Sequence, residues 1–104
     1  MEYIRYRIPD AARRAEFMDA YAQAAKQLEL APQSLGYELA HGVEEPERYI
    51  LRIEWTSVEE HEQGFRRGPH FPPFLAAIRP YIGDIEEMKH YRRTTVTSAA
   101  GGEA

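Results

Sequence analysis

No cysteine occurs among the 104 residues. Its absence removes disulfides, thiolate metal sites and a thiol nucleophile together, and it fits a reducing compartment. Charge of one sign is not in large excess either. Thirteen basic residues against 17 acidic ones leave a net charge of -4, which counts against nucleic acid or an anionic membrane as partner. The basic residues fall in separated pairs, Arg13-Arg14, Arg66-Arg67 and Arg92-Arg93, with acids between them, so no basic stripe forms. No apolar run approaches membrane-spanning length, and no positive segment followed by an apolar one opens the chain. A phosphate-binding glycine loop, a paired-carboxylate motif and a serine-histidine-acid set are also missing. The expectation is a soluble, cytoplasmic, single domain, long enough to bury a core unaided.

The patterns that are present change period along the chain. Residues 2–8, EYIRYRI, alternate, with Ile4, Tyr6 and Ile8 on one face and Tyr3, Arg5 and Arg7 on the other. Asp10 is placed to cap the next element. From Ala11 to Leu30, Phe17, Tyr21, Ala24 and Leu28 recur at helical spacing, and Pro32 ends the helix. Alternation returns at Leu35–Gly42 and again at Arg48–Trp55, joined by a turn-like Val43-Glu-Glu-Pro46, so these two segments predict a hairpin. Ser57-Val-Glu-Glu60 reads as a capping box opening a helix over Val58–Arg67, which Gly68-Pro69 breaks. A second helical piece is expected over Pro72–Tyr81. Asp84–Arg92, charged and weakly alternating, suits an edge strand. Residues 93–104 lose hydrophobic pattern and read as a flexible tail after a domain spanning 1–92.

The order β-α-β-β-α-β predicts a ferredoxin-like α+β fold, an antiparallel four-stranded sheet with both helices on one face. Simple alternation puts Tyr3, Arg5, Arg7, Glu38, Ala40, Ile50, Arg52, Glu54, Glu86, Met88 and His90 on the other face. Arg52 is assigned there to pairing with Glu38. That face mixes apolar groups with charges that can pair, and a second copy packed sheet to sheet would account for both.

Trp55 to Phe74 concentrates the candidates for chemistry. His70 follows the Gly68-Pro69 break, where a side chain can point into a cavity, and an imidazole exchanges protons near neutral pH. Its other reading is a hydrogen bond that holds the helix break. His61 faces either the sheet or solvent. Its spacing from His70 fits no standard metal site, and no metal is expected. Trp55, Phe65, Phe71 and Phe74 either pack the core or wall an apolar cleft for a planar ligand. Tyr37 and Tyr49, on neighbouring strands, are further candidates for the pocket lining, or bond their hydroxyls to backbone.

The strand Tyr49-Ile-Leu-Arg-Ile-Glu-Trp55, with His61 and then Gly68-Pro69-His70-Phe71, resembles the antibiotic biosynthesis monooxygenase family over residues 2–92. The resemblance implies a homodimeric α+β barrel and a cofactor-independent oxygenase acting on a small planar aromatic, a quinol or polyketide-like compound; His70, by its place after the break, is the candidate catalytic residue. The alternative it leaves is a non-catalytic ligand-binding or dimerisation module of the same fold. The haem-degrading branch carries an asparagine in the first strand, a helix tryptophan and a histidine ligand. Here the first strand lacks asparagine, and the other two places fall near Gly64 and Phe74.

Overall fold

The protein is described here by a computed structural model covering residues 1–98. Four strands, β1 (Glu2–Arg7), β2 (Ser34–His41), β3 (Arg48–Trp55) and β4 (Ile85–His90), form one sheet in the order β2-β3-β1-β4, with every neighbouring pair antiparallel. Helices α1 (Ala11–Leu30) and α2 (Phe71–Ile78) cover one face. This is the ferredoxin-like α+β arrangement expected from the sequence. Of the expected tail, residues 93–98 join no helix or strand, and 99–104 lie outside the described residues. Among the described residues, no helix is long and apolar enough to cross a membrane.

Local chemistry sets most boundaries. The Asp10 side chain accepts from the Ala12 amide at 2.9 Å and caps α1. Phe17, Tyr21, Ala24 and Leu28, the predicted stripe, are its buried residues. They meet Ile4, Tyr6, Ile8, Tyr49, Leu51 and Ile53 of the sheet. Phe17 is the centre of this layer, with ring centroids of Tyr6, Tyr21, Tyr49 and Tyr81 at 5.0, 5.2, 4.8 and 5.2 Å. The buried hydroxyls of Tyr6 and Tyr21 bond each other, and burial pushes Tyr6 up to about 12 and Tyr21 up as well. Replacing Tyr6 alone with phenylalanine strands the Tyr21 hydroxyl and is expected to cost about 1–3 kcal/mol. Replacing both should cost less than the sum of the two single changes, which urea melts of the four proteins would measure; additive costs would contradict the pairing.

Three features depart from simple patterning. The segment after Ser57 is not an α-helix through Arg67. Ser57 Oγ accepts from the Glu60 amide at 3.0 Å as a cap should, but residues Glu60–Phe65 wind as a π-helix, with the Arg66 amide donating to the His61 carbonyl at 3.1 Å. Leu35 is an extra residue where β2 meets β3, because Ser34 pairs with Trp55 and Gly36 with Glu54; it is left exposed rather than in line with Tyr37. A second irregularity lies in β4. Ile85 pairs with Tyr6 and Glu87 with Arg5, so Glu86 bulges. Alternation resumes one residue out of phase, and Met88 and His90 pair with Ile4 and Glu2 on the helix side, not on the open face. The rest of the open face follows the prediction. Arg52 bonds Glu38 and Glu54 at 3.2 and 2.9 Å, and Arg5 bonds Glu87 at 3.0 Å.

Candidate functional site

Between the sheet and the segment from His61 to Ile85 lies a cavity of about 150 Å³. Trp55, Phe65, Phe71 and Phe74 are its aromatic wall, and Ile4, Tyr6 and Ile53 its floor on the sheet. Trp55 and Phe65 rings stand 4.8 Å apart, and Phe65 meets Phe71 and Phe74 edge-on at 5.7 and 5.6 Å. Ile82 and Met88, both nearly half exposed, and Arg66, also exposed, lie at the open edge. The helical break places this wall. Gly68 and Pro69 end one helical run, and Pro72 and Pro73 in the first turn of α2 start another, turning Phe71 and Phe74 back toward Phe65.

One end of the cavity is polar. Glu2 is only 2% exposed and His61 only 4%, an unusual depth for a carboxyl. The Trp55 indole Nε1 donates to Glu2 Oε1 at 3.0 Å. His61 stacks flat on Trp55, with centroids 4.4 Å apart. Its Nε2 lies 3.5 Å from Glu2 Oε1, and its Nδ1 lies 2.7 Å from Nε2 of half-buried His90. Burial raises the Glu2 carboxyl above its usual value, although the Trp55 bond and nearby His90 and Arg66 pull it down. Burial, helped by the charges of Arg66 and His90, lowers His61 to about 4. His61 is therefore neutral at neutral pH, and its contact with Glu2 is not an ion pair. The donor atoms of Glu2, His61 and His90 all lie within 4.8 Å. Glu2 and His90 are also direct partners across β1 and β4, so the three side chains form one compact cluster.

The structure gathers some sequence candidates here and disperses others. Trp55, His61, Phe65, Phe71 and Phe74 all line the cavity. His70 does not. It sits behind Phe65, beside Pro32, Gln33 and Gly64, and its Nδ1 donates to Gln27 Oε1 of α1 at 3.2 Å. Tyr37 faces α1, where its hydroxyl bonds Glu29, and Tyr49 is buried between Phe17 and a stacked His41, 4.4 Å away. Glu2 and His90 are the residues that sequence reasoning missed. Glu2 had a signal, since it is in phase with Ile4, Tyr6 and Ile8. His90 had none, because the bulge at Glu86 reverses its phase.

Comparison with known proteins agrees with this architecture. Among solved structures, a candidate antibiotic biosynthesis monooxygenase from Bordetella bronchiseptica superimposes with a TM-score of 0.77 at 24% identity, over 89% of this chain and 94% of the other. SnoaB, a cofactor-independent oxygenase from Streptomyces nogalater, gives a TM-score of 0.67 at 20% identity, over 92% and 95%. The uncharacterized protein YczJ of Bacillus subtilis (strain 168) is 27% identical over 77 residues, 74% of this chain and 81% of the relative. Residues 1–77 match the profile described as antibiotic biosynthesis monooxygenase. That match takes in both the aromatic wall and the Glu2–His61 contact, and the chain belongs to the antibiotic biosynthesis monooxygenase family.

Proposed function

We propose that this protein is a cofactor-independent monooxygenase of a small planar quinol, and that the reaction takes place in the cavity beside His61. The observation that carries this reading is the meeting of an aromatic-walled cavity with a buried carboxyl and imidazole at one end. Likeness to SnoaB supports it as a relative's property. With the shared proton of the histidine pair on His61 Nδ1, donated to His90, the lone pair of His61 Nε2 faces Glu2 Oε1. Two acceptors 3.5 Å apart with no proton between them repel, and a substrate hydroxyl inserted there satisfies one of them. His61 takes the hydroxyl proton as the general base, and the resulting quinolate stays paired with the imidazolium in the apolar cavity. The electron-rich anion passes an electron to oxygen, and the two radicals join at a ring carbon. One oxygen atom enters the ring, the other leaves as water, and the ring C–H and the quinol supply all four electrons. No external reductant is required.

Oxygen uptake by the pure protein with a panel of quinols tests this. His61→Gln is expected to slow uptake by about 10²–10⁴-fold. His70→Ala is the comparison. His70 is the base that its place after the helix break suggested, but its contact with Gln27 makes it in our reading a support for the start of α2, and its loss should slow uptake far less. Uptake with no quinol at all would sink the oxygenase reading. Stabilisation of the fold by aromatics without turnover would instead favour a binding module. We also propose that two copies pack through the open sheet face, where half-buried Tyr3 and Ile50 lie among paired arginines and glutamates. Light scattering on the same preparation should then give twice the monomer mass.

A further inference from the structure

We infer that the compound this cavity takes is a single-ring phenol or quinol bearing a carboxylate, with Arg66 as the group that holds the carboxylate. The inference rests on the proposed site for its location but not on turnover. Size is the first argument. A cavity of about 150 Å³ is the volume that one benzene ring fills. It is too small to enclose a fused tricyclic system, so the polyketide-like part of the expectation is set aside in favour of one ring.

The second argument is charge at the mouth. The arginines of the sheet are engaged: Arg5 with Glu87, Arg7 with Glu47, Arg48 with Glu45 and Glu86, and Arg52 with Glu38 and Glu54. Arg66 forms no ion pair and no side-chain hydrogen bond among the described residues, yet it lines the cavity. The π-helix is the cause of that position. In an α-helix a residue five places on points well away from the first. Here the Arg66 amide bonds the His61 carbonyl, and that wider turn sets Arg66 over His61. Insertions of this kind recur at functional sites. The carboxyl of Glu2 is buried against Trp55, whereas Arg66 is exposed, and its charge is felt at both Glu2 and His61. A guanidinium of this kind takes a carboxylate through two parallel hydrogen bonds. A ring that bears both groups would place its hydroxyl at Glu2 and His61 and its carboxylate at Arg66 beside them.

Binding without turnover tests the inference. Trp55 is the only tryptophan and lies in the cavity wall, so its fluorescence reports occupancy directly, and calorimetry gives the affinity. The probes are 4-hydroxybenzoate, the uncharged 4-methylphenol, and the two-ring 6-hydroxy-2-naphthoate, the last read by calorimetry alone. We expect 4-hydroxybenzoate to bind at least about tenfold more tightly than either of the others. Arg66→Gln should abolish its advantage over 4-methylphenol and leave 4-methylphenol binding within about twofold. Equal affinities for the three probes, an Arg66→Gln loss shared by charged and uncharged rings, or no binding by any probe would each overturn the inference. The two proposals fail separately. Binding as described without oxygen uptake removes the oxygenase reading alone, whereas turnover of uncharged quinols with no preference for a carboxylate removes the role of Arg66 alone.

Discussion

Phe17→Ala is expected to lower the free energy of unfolding by about 3–5 kcal/mol, the usual loss for removing a large buried ring. The reason is position. Phe17 is fully buried, and four tyrosine rings, Tyr6, Tyr21, Tyr49 and Tyr81, surround it at centroid distances of 4.8 to 5.2 Å. Three of those contacts are edge-on or nearly so, and such pairs add about 0.5–1.5 kcal/mol each beyond burial. Four rings held by a fifth cannot all collapse into the space that it leaves. Domains of this size are stable by only about 5–15 kcal/mol, so the alanine variant should sit near the limit of folding. Phe17→Leu keeps much of the volume and should cost less than half as much. Urea melts of the two variants check this, and an alanine cost below about 1 kcal/mol would show that the ring is not the keystone of the layer.

The second large effect is a change in acid sensitivity on replacing His61. Burial lowers its pKa from 6.5 to about 4, so the unfolded chain takes up a proton between those values while the folded one does not. Stability at this group is therefore complete above pH 6.5 and falls as the pH drops toward 4. The fall amounts to at most about 3 kcal/mol. Glu2 works in the opposite sense. Its raised value means that the folded state holds the proton more tightly, so its contribution improves as the pH falls. The whole-protein profile mixes the two, but the difference between wild type and His61→Gln isolates the histidine. That difference should move in favour of the variant by up to about 3 kcal/mol between pH 7 and pH 4. A difference that does not change with pH would mean that His61 is solvated in the folded state.

What the sequence reveals and conceals follows from which physical rule governs each element. Strands β1 and β3 alternate because one face meets α1 and α2, and Ile4, Tyr6, Leu51 and Ile53 are readable from period alone. The α1 stripe is readable for the same reason, and so is the helix-covered face of the sheet. The aromatic wall was also legible, because prolines and glycine mark the break that turns it inward. Patterning fails where the backbone adds a residue to a regular repeat. The π-helix does so at His61–Arg66 and makes two neighbours of residues that an α-helix would separate. The bulge does so at Glu86 and turns His90 from the open face toward His61. In neither stretch does composition give warning. His70 illustrates a different limit. Two readings stood for it, a side chain in a cavity or a hydrogen bond that holds the helix break; the structure has the bond, to Gln27 of α1, and a side-chain amide many residues away leaves no local pattern to name it.

The bulge at Glu86 has a consequence for how this site can change. β4 is an edge strand, held to the sheet by β1 alone. Strand register is specified least where one neighbour is missing. Closing the bulge by a slip of one residue would carry Lys89 to the place opposite Glu2 and send His90 outward. A buried acid that now shares its surroundings with two neutral-capable imidazoles would face a permanent cation instead. Without any substitution at Glu2, His61 or His90, the site we propose for proton transfer would become a fixed ion pair. Within this fold, the number of residues in an edge strand is as much a determinant of chemistry as their identity.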